Sequence, residues 1–363
     1  MQQNFMGKAG FQWFVGVVED RQDPQKVGRV RVRCLGYHTD NLDKLPTADL
    51  PWAHPMNPIT SATISGVGQT PLGPVEGTWV VGFFQDGSDA QTPIIMGTLP
   101  GVPGYLSTGS TGGFLDPNGN YPKYKNETDV NRLAVNDENL PHPTLTLRKA
   151  DRDLAVGVAN TDATTVVDDV VNADDGTFWN EPETPYAAQY PYNHVYETEG
   201  GHIREYDDTV GAKRIHERHA SGSGYEIFDD GTKVTRVKKD NYEIVSADEY
   251  CHIQGIARQT IDKGLRVKVN NSAQASNNYT IEVGAGANVS VEVQEGDINL
   301  ISQQGDVNLK AGKNMNIDVA QALNIKVGGA ITETSKSKTE SAEGTHQMNA
   351  TLQDINGNRI DLN

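Results

Sequence analysis

Cysteine is nearly absent: Cys34 and Cys251 are the two in 363 residues, and they stand far apart. A disulfide framework is thereby excluded as the source of stability, and both read as packing or surface thiols. No run of eighteen apolar residues occurs, which excludes a membrane-spanning helix. The opening MQQNFMGKAG lacks an apolar stretch, so no signal peptide is expected. Positive charge is short as well. Lys and Arg number 31 against 48 Asp and Glu, a formal net charge of −17, and phosphate backbones need the opposite balance. Hydrophobic residues make up 36%, little for one large core, and long runs with helical periodicity are missing. What is abundant is glycine, with 37 residues, alongside β-branched side chains, the composition of a β-rich chain with many corners. At this length two or more domains are expected.

The most ordered stretch runs from Val289 to Ile325. Apolar–polar–apolar triplets recur there: Val289-Ser290-Val291, Ile298-Asn299-Leu300, Val307-Asn308-Leu309, Met315-Asn316-Ile317 and Leu323-Asn324-Ile325. Their first residues are 9, 9, 8 and 8 positions apart, and Gly296, Gly305 and Gly312 punctuate the gaps. A fixed period with glycine at the corners marks a solenoid. Alternation within each triplet gives one dry and one wet face. Such a strand cannot bury its dry face alone and needs copies stacked upon it. One period makes one side of a prism. Either one chain winds three periods per turn, or three chains each supply a side; the period alone leaves both open.

In chain order, residues 1–100 read as a small barrel. Phe11–Glu19, Gly28–Leu35, Trp52–His54, Gly77–Phe84 and Pro93–Leu99 are its strands, and about five strands with long polar loops suit an OB-like Greek-key barrel. In the second strand Arg29, Arg31 and Arg33 alternate with Val30, Val32 and Cys34. Asp20, Asp23, Asp40, Asp43 and Asp49 surround that arginine row, so the barrel reads as a protein-docking module and nucleic acid is not an expected partner. Residues 101–192 read as an extended, irregular linker or arm, with a short helical turn in 127–135 and Tyr186, Tyr190 and Tyr192 as anchors onto neighbouring chains. Residues 193–270 form a β-rich junction. Turn signals at Gly200-Gly201, Asp207–Gly211, Ser221–Gly224 and Asp229–Gly231 separate short strands, and Tyr250–Val269 adds more. Residues 271–363 are the needle and its tip, with Asn356-Gly357 as a tight turn.

Candidate chemistry is sparse. His216 and His219 lie three apart, with His202 upstream, but no helix aligns them; they read as exposed strand histidines, and no metal or cofactor is expected. Glu197, Glu199, Glu205, Asp207 and Asp208 cluster near His202. A glycosidase would need two such carboxylates across a cleft; placed at hairpin turns, they read as groups bonding their own backbone.

From Asn193 to Thr232 the chain becomes distinctive. Glu197-Thr198, Gly201-His202, Glu205, Asp207-Asp208-Thr209, Gly211, Arg214-Ile215-His216, His219, Ser221-Gly222, Glu226-Ile227 and Asp230-Gly231-Thr232 follow one another at close spacing. This resembles the junction module of contractile-tail spike proteins, the family of central spikes in T-even-like myophage baseplates; VgrG proteins of type VI secretion share the architecture. The resemblance implies an all-β homotrimer: an N-terminal OB-fold barrel, an extended linker, and a C-terminal intertwined triple-stranded β-helix. Gly201, His202, Glu205, Asp207, Asp208, Thr209, Arg214 and His216 carry the junction motif. Val289, Val291, Ile298, Leu300, Val307, Leu309, Met315, Ile317, Leu323 and Ile325 are then the trimer core, with the triplet asparagines outside.

The resemblance also implies partners: other copies of the chain, baseplate hub proteins met through the OB-fold, a PAAR-type tip protein, and transient contact with the host outer envelope. The expected place is the virion tail baseplate, after synthesis in the host cytoplasm. The expected role is structural, piercing the envelope when the sheath contracts. A VgrG-like spike of another contractile injection system and a peptidoglycan-degrading tail enzyme are the alternatives. Residues 101–190 are too few and too poor in apolar residues to hold the lysozyme domain inserted in T-even spikes, so no enzyme activity is expected.

Overall fold

The computed structural model describes residues 11–63, 69–101, 112–123, 128–134, 170–171, 178–179, 182, 184–259, 261, 263–269, 279–352 and 354. It divides into two compact units, Met1–Val267 and Lys268–Asn363.

The first unit opens with a closed five-stranded barrel. Its strands are β1 (Trp13–Asp20), β2 (Val30–Cys34), β3 (Trp52–Pro55), β4 (Trp79–Phe84) and β5 (Pro93–Leu99), in the order β1-β2-β3-β5-β4. All neighbours are antiparallel except β3 and β5. Aromatic and β-branched residues dominate β1 and β4, as a pleated, half-buried surface favours. The core holds Phe14, Val18, Val30, Val32, Cys34, Ala53, Val80, Phe84 and Ile95. Closure depends on tight crossings. A Cβ on Gly82 would lie 2.0 Å from the Ile94 carbonyl oxygen, so only glycine lets β4 and β5 approach there. Burial pushes the Cys34 thiol up to about 12, which makes it a packing group rather than a nucleophile.

The arginine row behaves differently from a solvent-facing stripe. Val30, Val32 and Cys34 are buried as alternation predicts, but Arg33 is buried too, bound to Glu19 at 2.6 Å. Arg31 meets Asp20 at 3.4 Å and lies over the Trp52 ring, and Arg29 meets Asp23 at 2.7 Å. Asp23 also accepts the backbone N–H groups of Gln25, Val27 and Arg29. The Arg29 bonds hold the Asp23 carboxyl well below the usual carboxylate range. A depressed folded value means that this stabilisation is complete above the unfolded-state pKa, about 4, and fades as pH falls below it. Asp23→Asn is therefore expected to lower the denaturant midpoint at pH 7 and to flatten the acid limb of a stability-against-pH curve. An unchanged acid limb would assign that sensitivity to other carboxylates.

Beyond the barrel lie a six-residue helix, α1 (Asp129–Ala134), where a short helical turn is expected, and a two-residue ladder of β6 (Val170–Val171) with β7 (Phe178–Trp179). Then follows an antiparallel meander: β8 (Asn193–Glu197), β9 (Ile203–Asp207), β10 (Arg214–Arg218), β11 (Gly224–Ile227) and β12 (Lys233–Arg236), hydrogen-bonded in sequence order. Its four connections fall on the four turn signals read from the sequence. The strands expected in Tyr250–Val269 do not form among the described residues of this chain. The Asn356-Gly357 turn lies outside the described residues.

Within the second unit, and back to residue 237, no strand forms among the described residues, and every described residue of 279–352 is exposed. The ten residues assigned to the needle core are 53–72% exposed in the single chain.

Candidate functional site

Two structures in the first unit bear on function. One is a strap on the barrel. Glu19 is buried where β1 bulges between Val18 and Asp20. Its carboxylate accepts Arg33 Nε at 2.6 Å and Nη2 at 3.1 Å, the Thr47 hydroxyl at 2.8 Å and the Phe114 backbone N–H at 2.6 Å. Arg33 in turn donates to the carbonyls of Thr39 at 2.6 Å and Leu45 at 2.8 Å. Every charge-assisted bond in this cluster is internal, and one ion pair fastens two loops and the 112–116 segment to the barrel.

Gly113 sits directly against Arg33: a Cβ there would lie 2.1 Å from Nε and 2.5 Å from Cδ. Because Arg33 is pinned by four contacts, it cannot yield. Gly113→Ala is expected to destabilise the barrel by about 1–3 kcal/mol, read as a lower denaturant midpoint with faster amide exchange at Phe114. A wild-type midpoint would mean that the strap is not closed on Arg33.

The strap continues to Asp116, which accepts the N–H groups of Asn118, Asn120 and Tyr121. Tyr121 and Arg21 then both reach Glu199, in the β8–β9 turn. Arg21 grips that carboxylate with two bonds, at 2.7 and 2.9 Å, while its Nε lies 3.3 Å from Glu76. The barrel is joined to the β8–β12 sheet through this pair.

The second structure is the polar side of that sheet. On β9 the buried residues are Ile203, Glu205 and Asp207, and on β10 they are Arg214, His216 and Arg218. An apolar-inward rule would bury Ile215, which is instead 40% exposed. Glu205 and Arg214 have fully buried side chains 2.9 Å apart. Arg214 Nε lies 2.8 Å from Glu226, which also accepts the Thr184 hydroxyl. These Arg214 contacts are close ion pairs rather than well-directed hydrogen bonds. The Tyr186 ring covers the guanidinium at 4.6 Å. Asn193 donates to Glu205 at 2.8 Å, and His216 Nδ1 lies 3.3 Å from it. Asp207 accepts the Thr209 N–H, and the Thr209 hydroxyl accepts the Gln189 N–H. Burial pushes the Arg214 guanidinium below its ordinary value, while Glu226 and Asp207 oppose that shift.

Of the eight motif residues, Glu205, Asp207, Thr209, Arg214 and His216 are thus brought into one buried layer. Gly201, His202 and Asp208 are not: Gly201 occupies a turn at φ 80°, and His202 and Asp208 are exposed. Two expectations are corrected. His216 is not an exposed strand histidine but is buried against Glu205. Glu205 lies within a strand rather than at a turn, held by a charged partner. That removes it from any pair of carboxylates facing a cleft. Within the chain the Tyr186 ring packs on Arg214, and Tyr190 and Tyr192 are exposed. The sequence reading missed Glu19, Arg33 and Asn193; arginines spaced two apart on a barrel strand were the available signal. Among the described residues no group of three or more His, Cys, Asp or Glu side chains is placed to hold a metal.

Known proteins share much of the sequence that builds the barrel, the strap and the sheet. Residues 37–175 match the Gp5 N-terminal OB domain. Protein Gp5 of Vibrio phage KVP40 is 41% identical over 285 residues, covering 71% of this chain and 65% of the relative. The chain is similar in sequence to the phage Gp5 proteins. A further relative, the pre-baseplate central spike protein Gp5 of Enterobacteria phage T4, is 46% identical over 128 residues, 32% of this chain and 21% of the relative. The chain therefore spans just under two thirds of the KVP40 Gp5 and about a fifth of the T4 Gp5. The Gp5 OB match begins in the loop after β2 and runs through the strap to β6, so the strap lies within the matched region together with β3, β4 and β5.

Proposed function

We propose that the chain is the structural central spike of a contractile phage tail baseplate. Three copies dock to hub proteins through their barrels and join their second units into a triple-stranded β-helix needle that a PAAR-type protein tips. The needle enters the host outer envelope when the sheath contracts, and the protein resides in the virion baseplate. One observation carries this reading. The second unit presents apolar side chains at alternate positions, period after period, to solvent: Leu309 is 69% exposed, Ile317 68% and Ile325 70%. An apolar stripe of that length does not stay exposed to water, and covering it also covers backbone polar groups that then need partners. Further copies of the same sequence supply both needs at once, because each period offers an identical edge and an identical dry face.

Force transmission follows from that construction. Interlocked strands cannot peel away singly, and a closed prism leaves no long edge to pair with foreign strands. Each inward Val, Leu, Ile or Met contributes about 1.5–3 kcal/mol on full burial, and repetition adds these along the axis. The role is mechanical; we assign no muralytic activity to this chain. Native mass spectrometry tests the reading: a species of three chain masses is expected, and a monomer would overturn it. A peptidoglycan zymogram is expected to show no clearing.

A further inference from the structure

The repeat extends beyond its triplets. In the last three periods the alternating segment has five residues: Val307-Asn308-Leu309-Lys310-Ala311, Met315-Asn316-Ile317-Asp318-Val319 and Leu323-Asn324-Ile325-Lys326-Val327. Positions one, three and five are apolar, so positions two and four share the other face. Position two is always Asn. Position four reads Lys310, Asp318, Lys326: plus, minus, plus, at a constant spacing of eight. All three are exposed in the single chain.

This inference rests on the trimeric needle proposed above. Each period forms one side of the prism and then turns a corner, so a chain's next period lies on the adjacent side, one level further along. Threefold symmetry moves all three chains together. The strand stacked on one chain's Lys310 is therefore the following period of a neighbouring chain, and the strand beyond it belongs to the third chain. Adjacent strands stand about 4.8 Å apart, within reach of an ion pair between side chains on one face.

We infer that Lys310, Asp318 and Lys326 form an interchain charge ladder on each side of the needle and fix the register in which the three chains assemble. In register, Asp318 of one chain lies between Lys310 of one neighbour and Lys326 of the other. If one chain slips by a period toward either end, lysine meets lysine across an interchain contact. The apolar and Asn positions do not oppose that slip, because they repeat almost unchanged from period to period. The alternating charges distinguish one period from the next, in the way that charges flanking a coiled-coil seam select alignment.

The test compares wild type, Asp318→Ser, Asp318→Lys, and the full inversion Lys310→Asp/Asp318→Lys/Lys326→Asp. Native mass spectrometry of the wild type comes first. A trimer secures the underlying reading, and a monomer overturns that reading and this inference together. Dissociation of the trimer in SDS is then timed at low salt and in 1 M NaCl. Asp318→Lys is expected to dissociate about tenfold faster than Asp318→Ser at low salt, with the gap closing at high salt. The inversion is expected to return to the wild-type rate. Equal rates for Asp318→Lys and Asp318→Ser, or an inversion no slower than Asp318→Lys, would overturn the ladder while leaving the trimer intact.

Discussion

Leu309→Asp is expected to abolish assembly of the proposed trimer. The needle assignment puts Leu309 on the inward face, with Val307 and Ala311 on the same side of the strand. Threefold symmetry places three copies of any inward residue at one level. The substitution therefore puts three carboxylates into a dry interior, with no cation supplied to pair them. Loss of the leucine removes about 1.5–3 kcal/mol of burial per chain, and each unpaired buried carboxylate costs several kcal/mol more. The sum exceeds the whole stability of an ordinary domain. Size-exclusion chromatography with light scattering should return a single-chain mass for Leu309→Asp. The neighbouring Asn308→Asp, with its side chain outward, should remain trimeric. The reverse pattern would show that the two faces have been exchanged. Trimers from both variants would mean that the stretch does not enclose a core at all.

The legible parts of this molecule were those in which one periodicity meets one environment. The barrel strands announced themselves because Val30, Val32 and Cys34 alternate toward a hydrophobic centre and because glycines break the chain between runs. The four turns of the β8–β12 meander were visible for the same reason: Gly and Asp mark a reversal by local backbone chemistry, whatever the strands pack against. The interior of that meander was not legible. Alternation tells which residues share a face, but not which face is covered, and here Glu205, Asp207, Arg214, His216 and Arg218 are covered while Ile215 is not. That inversion depends on Tyr186, Thr184 and Gln189, which arrive from a segment with no periodic signal. The burial of Arg33 was not legible on similar grounds, since its partners Glu19 and Phe114 are 14 and 81 residues away in sequence. The strands expected in Tyr250–Val269 have the right composition but no partner strand among the described residues of this chain, and a strand is a relation between segments rather than a property of one.

Breaking the covered layer gives the second large effect. Arg214 is enclosed by Glu205 at 2.9 Å, Glu226 at 2.8 Å and the Tyr186 ring, so its positive charge is the centre of the layer. Arg214→Met keeps most of the volume but leaves the fully buried Glu205 without the guanidinium that offsets its desolvation. Removing one partner of such a pair typically costs about 3–5 kcal/mol. The β8–β12 sheet should therefore melt at a markedly lower temperature. The barrel has its own core and its own Glu19–Arg33 pair, and should change little. Amide exchange separates the two, with protection lost in β9 and β10 but retained in β1 and β4. The double variant Arg214→Met/Glu205→Gln removes the stranded charge and is expected to regain much of the loss, because a neutral amide can still accept from Asn193. If the single variant were as stable as wild type, the layer would have to admit water, and the 0% side-chain exposure of both residues argues against that. If the double variant were no better than the single, the energy would reside in the packing of Tyr186 on Arg214, and the layer would owe its stability to an aromatic lid rather than to paired charge.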